Sequence, residues 1–132
     1  AHRVAATEAE CLASIRELLS FLPSNNLGDP PLVPCDDPDD RRDEGLLDAI
    51  PEASTSPYDM HEVIRRVVDH GEFFEIAAGF AGNILVGFAR LGGRSVGIVA
   101  NQPAILAGVL DIASSSKAAK RAGSRRRRLA FR

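Results

Sequence analysis

The 132 residues suffice for one compact domain and are too few for two ordinary ones, and an apolar share of 45% excludes disorder of the whole chain. With no Trp and an aromatic share of 5%, Val, Ile, Leu and Ala must fill the core. The net charge of -2 hides an asymmetry: eight of the 16 basic residues lie from Lys117 onward, where there is no acid, so residues 1–116 set eight basic residues against all 18 acidic ones, a net of -10.

No apolar run reaches the roughly 18 residues of a membrane span. The opening AHRVAATEAE has no apolar signal core, so the expectation is a cytoplasmic protein. Two cysteines, Cys11 and Cys35, are too few for a disulfide framework, and neither has a second ligand at metal-binding spacing.

Residues 8–22 read as an amphipathic helix, with Leu12, Ile15, Leu18, Leu19 and Leu22 at three- and four-residue steps. Thr7 is the expected N-cap with Glu10 three positions on, Pro23 the expected stop, and Cys11 a small buried thiol on the apolar face. Seven of the eight prolines then fall between Pro23 and Pro57, among many acids, which reads as a long connector.

Asp59 and Glu62 form a capping-box pattern for a helix near 59–70, with Met60, Val63, Ile64, Val67 and Val68 as its stripe and Gly71 at its end. Three strand candidates follow: EFFEIAAGF, ILVGFARL and SVGIVAN. Gly92 and Gly93 between the last two predict a hairpin, and the nearly all-apolar third strand predicts cover on both faces. A final helix is expected to be capped near Ser114.

The sites of chemistry are sparse. His61 and His70 lie on opposite faces of their helix and cannot share a metal, and His70 is placed to meet the helix dipole. The acids between Asp36 and Glu44 lack the spaced loop and central glycine of a calcium site, so they read as a solvated charged loop. SSSK, from Ser114 to Lys117, has no matching base and no nucleophile elbow. The glycines between Gly79 and Gly97 form no phosphate loop, and they read instead as bulges or points of close packing. The arginines Arg125 to Arg128 carry charge for a polyanion but no aromatic platform, and the acidic body opposes nucleic acid.

More specific than any of these patterns are the strings ELLSFLPSNNLGDPP, YDMHEVIRRVVDHGEFFEI and VGFARLGGRSVGIVANQPAILAGVLDIASSSKAA. In this order they resemble the middle of the carboxyltransferase β subunit of biotin-dependent acyl-CoA carboxylases, of the propionyl-CoA type. The resemblance implies an α/β fold, a partial crotonase-like (ClpP/crotonase) arrangement of ββα units in an incomplete superhelix. It implies residues 1–22 as the end of the family's N-terminal domain, 23–57 as the connector and 58–119 as the opening of the C-terminal domain.

From Lys120 the chain leaves the pattern. Where the family continues with RFVRFCDAF, this chain reads KRAGSRRRRLAFR, an arginine-rich run of the kind a shifted reading frame produces. Residues 120–132 are therefore expected to be a basic tail, mobile over 123–132 unless the acids from Asp36 to Glu44 of a neighbouring chain hold it.

The resemblance further implies carboxyl transfer from carboxybiotin to an acyl-CoA, with the biotin carried by a partner, the biotin carboxyl carrier or biotin carboxylase subunit. It implies a homo-oligomer, with no membrane expected. The alternatives to carboxyl transfer are a non-catalytic module that associates with carboxylase subunits, and nucleic-acid binding through the basic tail, against which the acidic body stands. No metal and no catalytic residue is assigned. The family's oxyanion donors lie in turns outside the resembling strings, so the chain by itself is expected to be silent. Asn101 and Gln102, at the end of the third strand, are the candidates for lining the ligand cleft, against the simpler reading that they shape a turn.

Overall fold

The computed structural model describes residues 2–38, 40–53 and 56–122. Helix α1 (Glu8–Ser20) is followed by a short helix α2 (Gly45–Ala49), helix α3 (Met60–Val67), strands β1 (Phe73–Glu75), β2 (Ile84–Leu91) and β3 (Arg94–Asn101), and helix α4 (Ile112–Ala122). The three strands form one antiparallel sheet in the order β1-β2-β3.

The hairpin joins β2 to β3 at Gly92 and Gly93, whose φ of 57° and 74° are the left-handed values a two-residue turn of this hand needs. Leu91 pairs with Arg94 and Ile84 with Asn101, so the register runs without a slip over the full length of both strands. Asp69 sits beneath the turn and accepts from the Gly92 and Gly93 N–H groups at 2.9 and 2.7 Å. Burial opposes its charge, yet those two N–H donors hold its carboxyl below the usual range.

Side chains alternate across a strand, so each face of the sheet has its own set. One face brings Leu85 and Ala89 of β2 against Ile64 and Val68, with Val96, Ile98 and Ala100 of β3 at the margin. The other face brings Phe74 and Ile76 against Phe21 at the end of α1, with Phe88 stacked on Phe21 at 5.9 Å. The Arg90 guanidinium lies 4.2 Å over the Phe21 ring and donates to the Ser20 hydroxyl at 2.8 Å, which fastens the end of α1 to the sheet. Gly87 lets β1 approach, since a Cβ there would collide with the Phe74 carbonyl and the Phe73 ring.

Several expectations hold in outline and change in detail. Thr7 caps α1 by accepting from the Glu10 N–H at 3.2 Å, but the helix stops at Ser20 and none of its residues is buried. Cys11 is exposed, not the buried thiol its place on the stripe suggested: of that stripe Leu18 packs against Phe21, Phe74 and Ile76, while Cys11 and Ile15 border an open cavity beside them. Asp59 caps α3, whereas Glu62 turns away to Arg66 at 2.9 Å, and the helix ends at Val67, before Gly71.

Strand β3 is also corrected. Only its Val96, Ile98 and Ala100 side is sheltered, while Gly97, Val99 and Asn101 on the other side are exposed. The doubly covered strand is β2, where Ile84, Leu85, Val86 and Gly87 are all buried in succession. The cap of α4 is Asp111, not Ser114. Asp111 accepts from the Ser114 N–H at 2.7 Å and Ser114 returns the bond by accepting from the Asp111 N–H at 2.8 Å.

The connector is more ordered than its composition suggested. The Val33 N–H donates to the Gly93 carbonyl at 3.1 Å, and the Arg41 guanidinium to the Arg66 carbonyl at 2.8 Å, near the end of α3. The acids are accordingly not all free in solvent. Asp37 pairs with Arg41, Asp43 with Arg66, and His70 with Asp36. Asp39 and the expected mobility of residues 123–132 lie outside the described residues.

Candidate functional site

Where β3 ends, the chain turns through residues 101–108. Asn101 is exposed on the face of the sheet that α3 leaves open, and Gln102 is buried at 3% exposure. The Gln102 N–H donates to the Asn83 carbonyl at 2.9 Å and the Asn83 amide donates to the Val109 carbonyl at 2.7 Å, closing the loop on itself. Leu106, Ala107 and Gly108 follow with φ of 50°, 50° and 71°. The first two are non-glycine residues in the left-handed region, at a cost of about 1–2 kcal/mol each.

The Gln102 side chain reaches inward to the start of α3. Its Oε1 accepts from the Met60 N–H at 3.0 Å, and its Nε2 donates to Asp59 Oδ1 at 2.6 Å. A glutamine 42 residues away thus supplies one of the acceptors that the first turn of a helix needs. Asp59 Oδ1 also accepts from the His61 N–H at 2.9 Å and lies 2.8 Å from His61 Nδ1. On the other side of the ring, Nε2 is 2.8 Å from Glu75 Oε2 on β1.

The electrostatics follow from this bracket. Burial disfavours the charged ring, but Glu75 and Asp59 outweigh it and raise the His61 pKa above 6.5. Burial likewise resists the Asp59 charge, while Gln102 and both the backbone and ring of His61 bring its pKa down. His61 thus has two carboxylate partners that its place in the sequence did not indicate. His70 is separate from it, with φ of 53° in the turn after α3. Among the described residues no group of three His, Cys, Asp or Glu side chains is placed to hold a metal ion.

One polar residue has a place in the fold that the sequence analysis did not assign. Lys117 on α4 is 6% exposed, and its Nζ donates to the carbonyls of Phe80 and Ile84 at 2.8 Å and of Ala81 at 3.3 Å. Burial lowers its pKa, against the pull of the Glu75 charge. The signal was present in the spacing: Ala113, Ser114, Lys117 and Ala118 make a face of small residues with one lysine in it. A cavity of about 440 Å³ lies beside it, between Ile76, Phe80, Val86 and the two lysines Lys117 and Lys120.

Compared with known proteins, residues 1–124 match the carboxyl transferase domain family, a match that runs a few residues past Lys120. The chain is 52% identical to the carboxyltransferase subunit of propionyl-CoA carboxylase from Haloferax mediterranei, over 91% of this chain and 23% of that protein. It is 50% identical to methylmalonyl-CoA decarboxylase subunit alpha from Veillonella parvula, over 91% of this chain and 24% of that one. The chain thus spans about a quarter of the length of the curated relatives it matches.

Among solved structures, transcarboxylase 12S, described as a hexamer and solved with hydrolysed methylmalonyl-CoA bound, superposes with a TM-score of 0.85 at 42% identity, over 90% of this chain and 23% of that one. A single-chain long-chain acyl-CoA carboxylase, at a TM-score of 0.70 and 24% identity, shares the fold over 89% of this chain and 11% of its own. The fold is a partial α/β unit of the crotonase-like kind with a three-stranded sheet. No helix among the described residues is long and apolar enough to cross a membrane.

Proposed function

The chain belongs to the carboxyl transferase domain family, and on that premise we propose that it is the middle segment of a subunit that moves a carboxyl group between biotin and the α-carbon of an acyl-CoA of the propionyl or methylmalonyl class. The observation that carries this reading is the backbone agreement with transcarboxylase 12S, at a TM-score of 0.85 and 42% identity. In this reading residues 1–22 end one crotonase-like domain, 23–57 connect, and 58–119 open the next. The basic residues from Lys120 stand apart, and the setting is the cytoplasm.

Biotin, presented on a carrier or biotin carboxylase partner, supplies the carboxyl group. Asn101 suits a place beside such a ligand, because its exposed amide both donates and accepts, next to the left-handed turn at residues 106–108. Gln102 supports it from behind, its amide being held by Met60 and Asp59. Carboxyl transfer through an enolate requires backbone donors aimed at the thioester oxygen. Neither Asn101 nor Gln102 supplies such a pair, so the isolated chain is expected to give no turnover.

The test is a chimera. The aligned segment of the Haloferax mediterranei subunit is replaced by residues 1–119 of this chain, and propionyl-CoA-dependent carboxyl transfer is measured in the assembled enzyme. The expected result is transfer by the chimera and none by the 132-residue chain alone. A chimera that assembles like its parent and binds acyl-CoA, yet transfers no carboxyl group, contradicts the reading.

A second reading, an association module for carboxylase subunits or for its own copies, is favoured by one observation. Val99, Ile105, Leu106, Val109, Leu110 and Ile112 are all exposed near one end of the sheet, Ile112 at 88%. It predicts a dimer or larger species in sedimentation velocity. A clean monomer, alone and mixed with the parent subunit, removes it.

A further inference from the structure

The bracket around His61 has a protonation logic of its own. Ionised carboxylates only accept, so a ring with carboxylate oxygens 2.8 Å from both nitrogens donates from both and is an imidazolium. The orientation of the Gln102 amide is fixed independently, because the Met60 N–H demands an acceptor and takes Oε1. The Nε2 of Gln102 is then left facing two atoms, Asp59 Oδ1 at 2.6 Å and His61 Nδ1 at 3.1 Å. While the ring is charged, Gln102 and His61 share Asp59 as a common acceptor. Once Nδ1 loses its proton, it becomes an acceptor itself, with a donor already in place.

We propose that His61 is the positioning residue of the turn at residues 101–104, a clamp that donates to Asp59 and Glu75 when charged and accepts from Gln102 at Nδ1 when neutral. The groups facing it come from every packed element: Asp59 at the cap of α3, Glu75 and the edge of the Phe73 ring on β1, and Gln102 beyond β3. Lys117 on α4 acts at one remove, through the charge of Glu75. The clamp explains why the proton leaves one nitrogen and not the other. Both nitrogens face a carboxylate oxygen at 2.8 Å, but only Nδ1 also has an amide N–H within reach, from Gln102 at 3.1 Å, to take up once its own hydrogen is lost. The inference concerns how the turn is held, and it stands whether or not the turn borders an acyl-CoA cleft.

A pH titration of the ¹⁵N-labelled 132-residue chain tests it by NMR. The expected result is a His61 midpoint above 6.5, a neutral ring protonated on Nε2, and a Gln102 side-chain amide that shifts with the same midpoint. The backbone amides of Asn101, Gln102 and Ala104 follow the same curve. Glu75→Gln removes one flanking charge while keeping an acceptor, and should lower the midpoint by about one pH unit, carrying the response of the turn with it. A midpoint at or below 6.5, a neutral ring protonated on Nδ1, or turn amides indifferent to His61 overturns the proposal. The parent titration needs no variant to fold.

Discussion

Leu85 and Leu19 both belong to apolar patterns that the sequence displays openly, and the fold treats them in opposite ways. Leu85 on β2 is 1% exposed, closed in by Ile64 and Val68. Leu19 on α1 is 59% exposed, although it too belongs to a stripe of three- and four-residue steps. The block made by β1, β2, α3, the inner side of β3 and Phe21 at the end of α1 is the closed core. Leu12, Ile15 and Leu19 on α1, the outer side of β3 and the ridge from Ile105 to Ile112 are apolar surfaces left open. Periodicity states which face of an element is apolar; it does not state what lies against that face.

The largest effect should come from cutting into the closed block. Leu85→Ala removes a fully buried side chain and should cost about 2–5 kcal/mol, enough to unfold much of a small domain, as read by urea denaturation. Lys117→Met should follow, at about 2–3 kcal/mol, because the carbonyls of Phe80, Ala81 and Ile84 lose a common donor inside the fold. If that variant is as stable as its parent, the lysine is not fastening α4 to the sheet.

A smaller, graded effect is expected from pH. Asp69 and Asp59 have lowered pKa values, so their contributions are complete above about pH 4 and are lost as pH falls through the lowered values. His61 has a raised pKa, so its contribution is complete below 6.5 and fades as pH rises through the raised value. The urea midpoint should therefore decline on both sides, with the alkaline loss the shallower because Gln102 remains as a donor. The smallest effect is reserved for the open surface. Leu19→Ala should change stability by less than about 0.5 kcal/mol, and a loss comparable to that of Leu85→Ala would erase the distinction between the two regions.

The contrast also shows what could be learned from residues alone. Thr7, Asp59 and the Gly92–Gly93 pair are local signals, each satisfied within a few residues, and the elements they announce are present. The strings shared with the carboxyltransferase subunits identify the family for a similar reason: they are contiguous. What escaped detection depends on contacts across the chain. Gln102 caps a helix that begins 42 residues earlier, Asp69 closes a hairpin that is still to come, and Lys117 satisfies carbonyls more than 30 positions away. No window of sequence contains both partners. The reading of β3 as doubly covered failed differently. Its composition is that of a strand with two packed faces, and only one of them is packed by the described residues.

Residue-resolved hydrogen exchange on the 132-residue chain tests the division most directly. Amides of β2 and α3 should be the slowest and should exchange together, at a free energy close to that of global unfolding, while α1 and residues 102–110 exchange far faster through local opening. Protection of α1 equal to that of β2 would contradict the account, because it would mean that the open apolar face is as firmly held as the core.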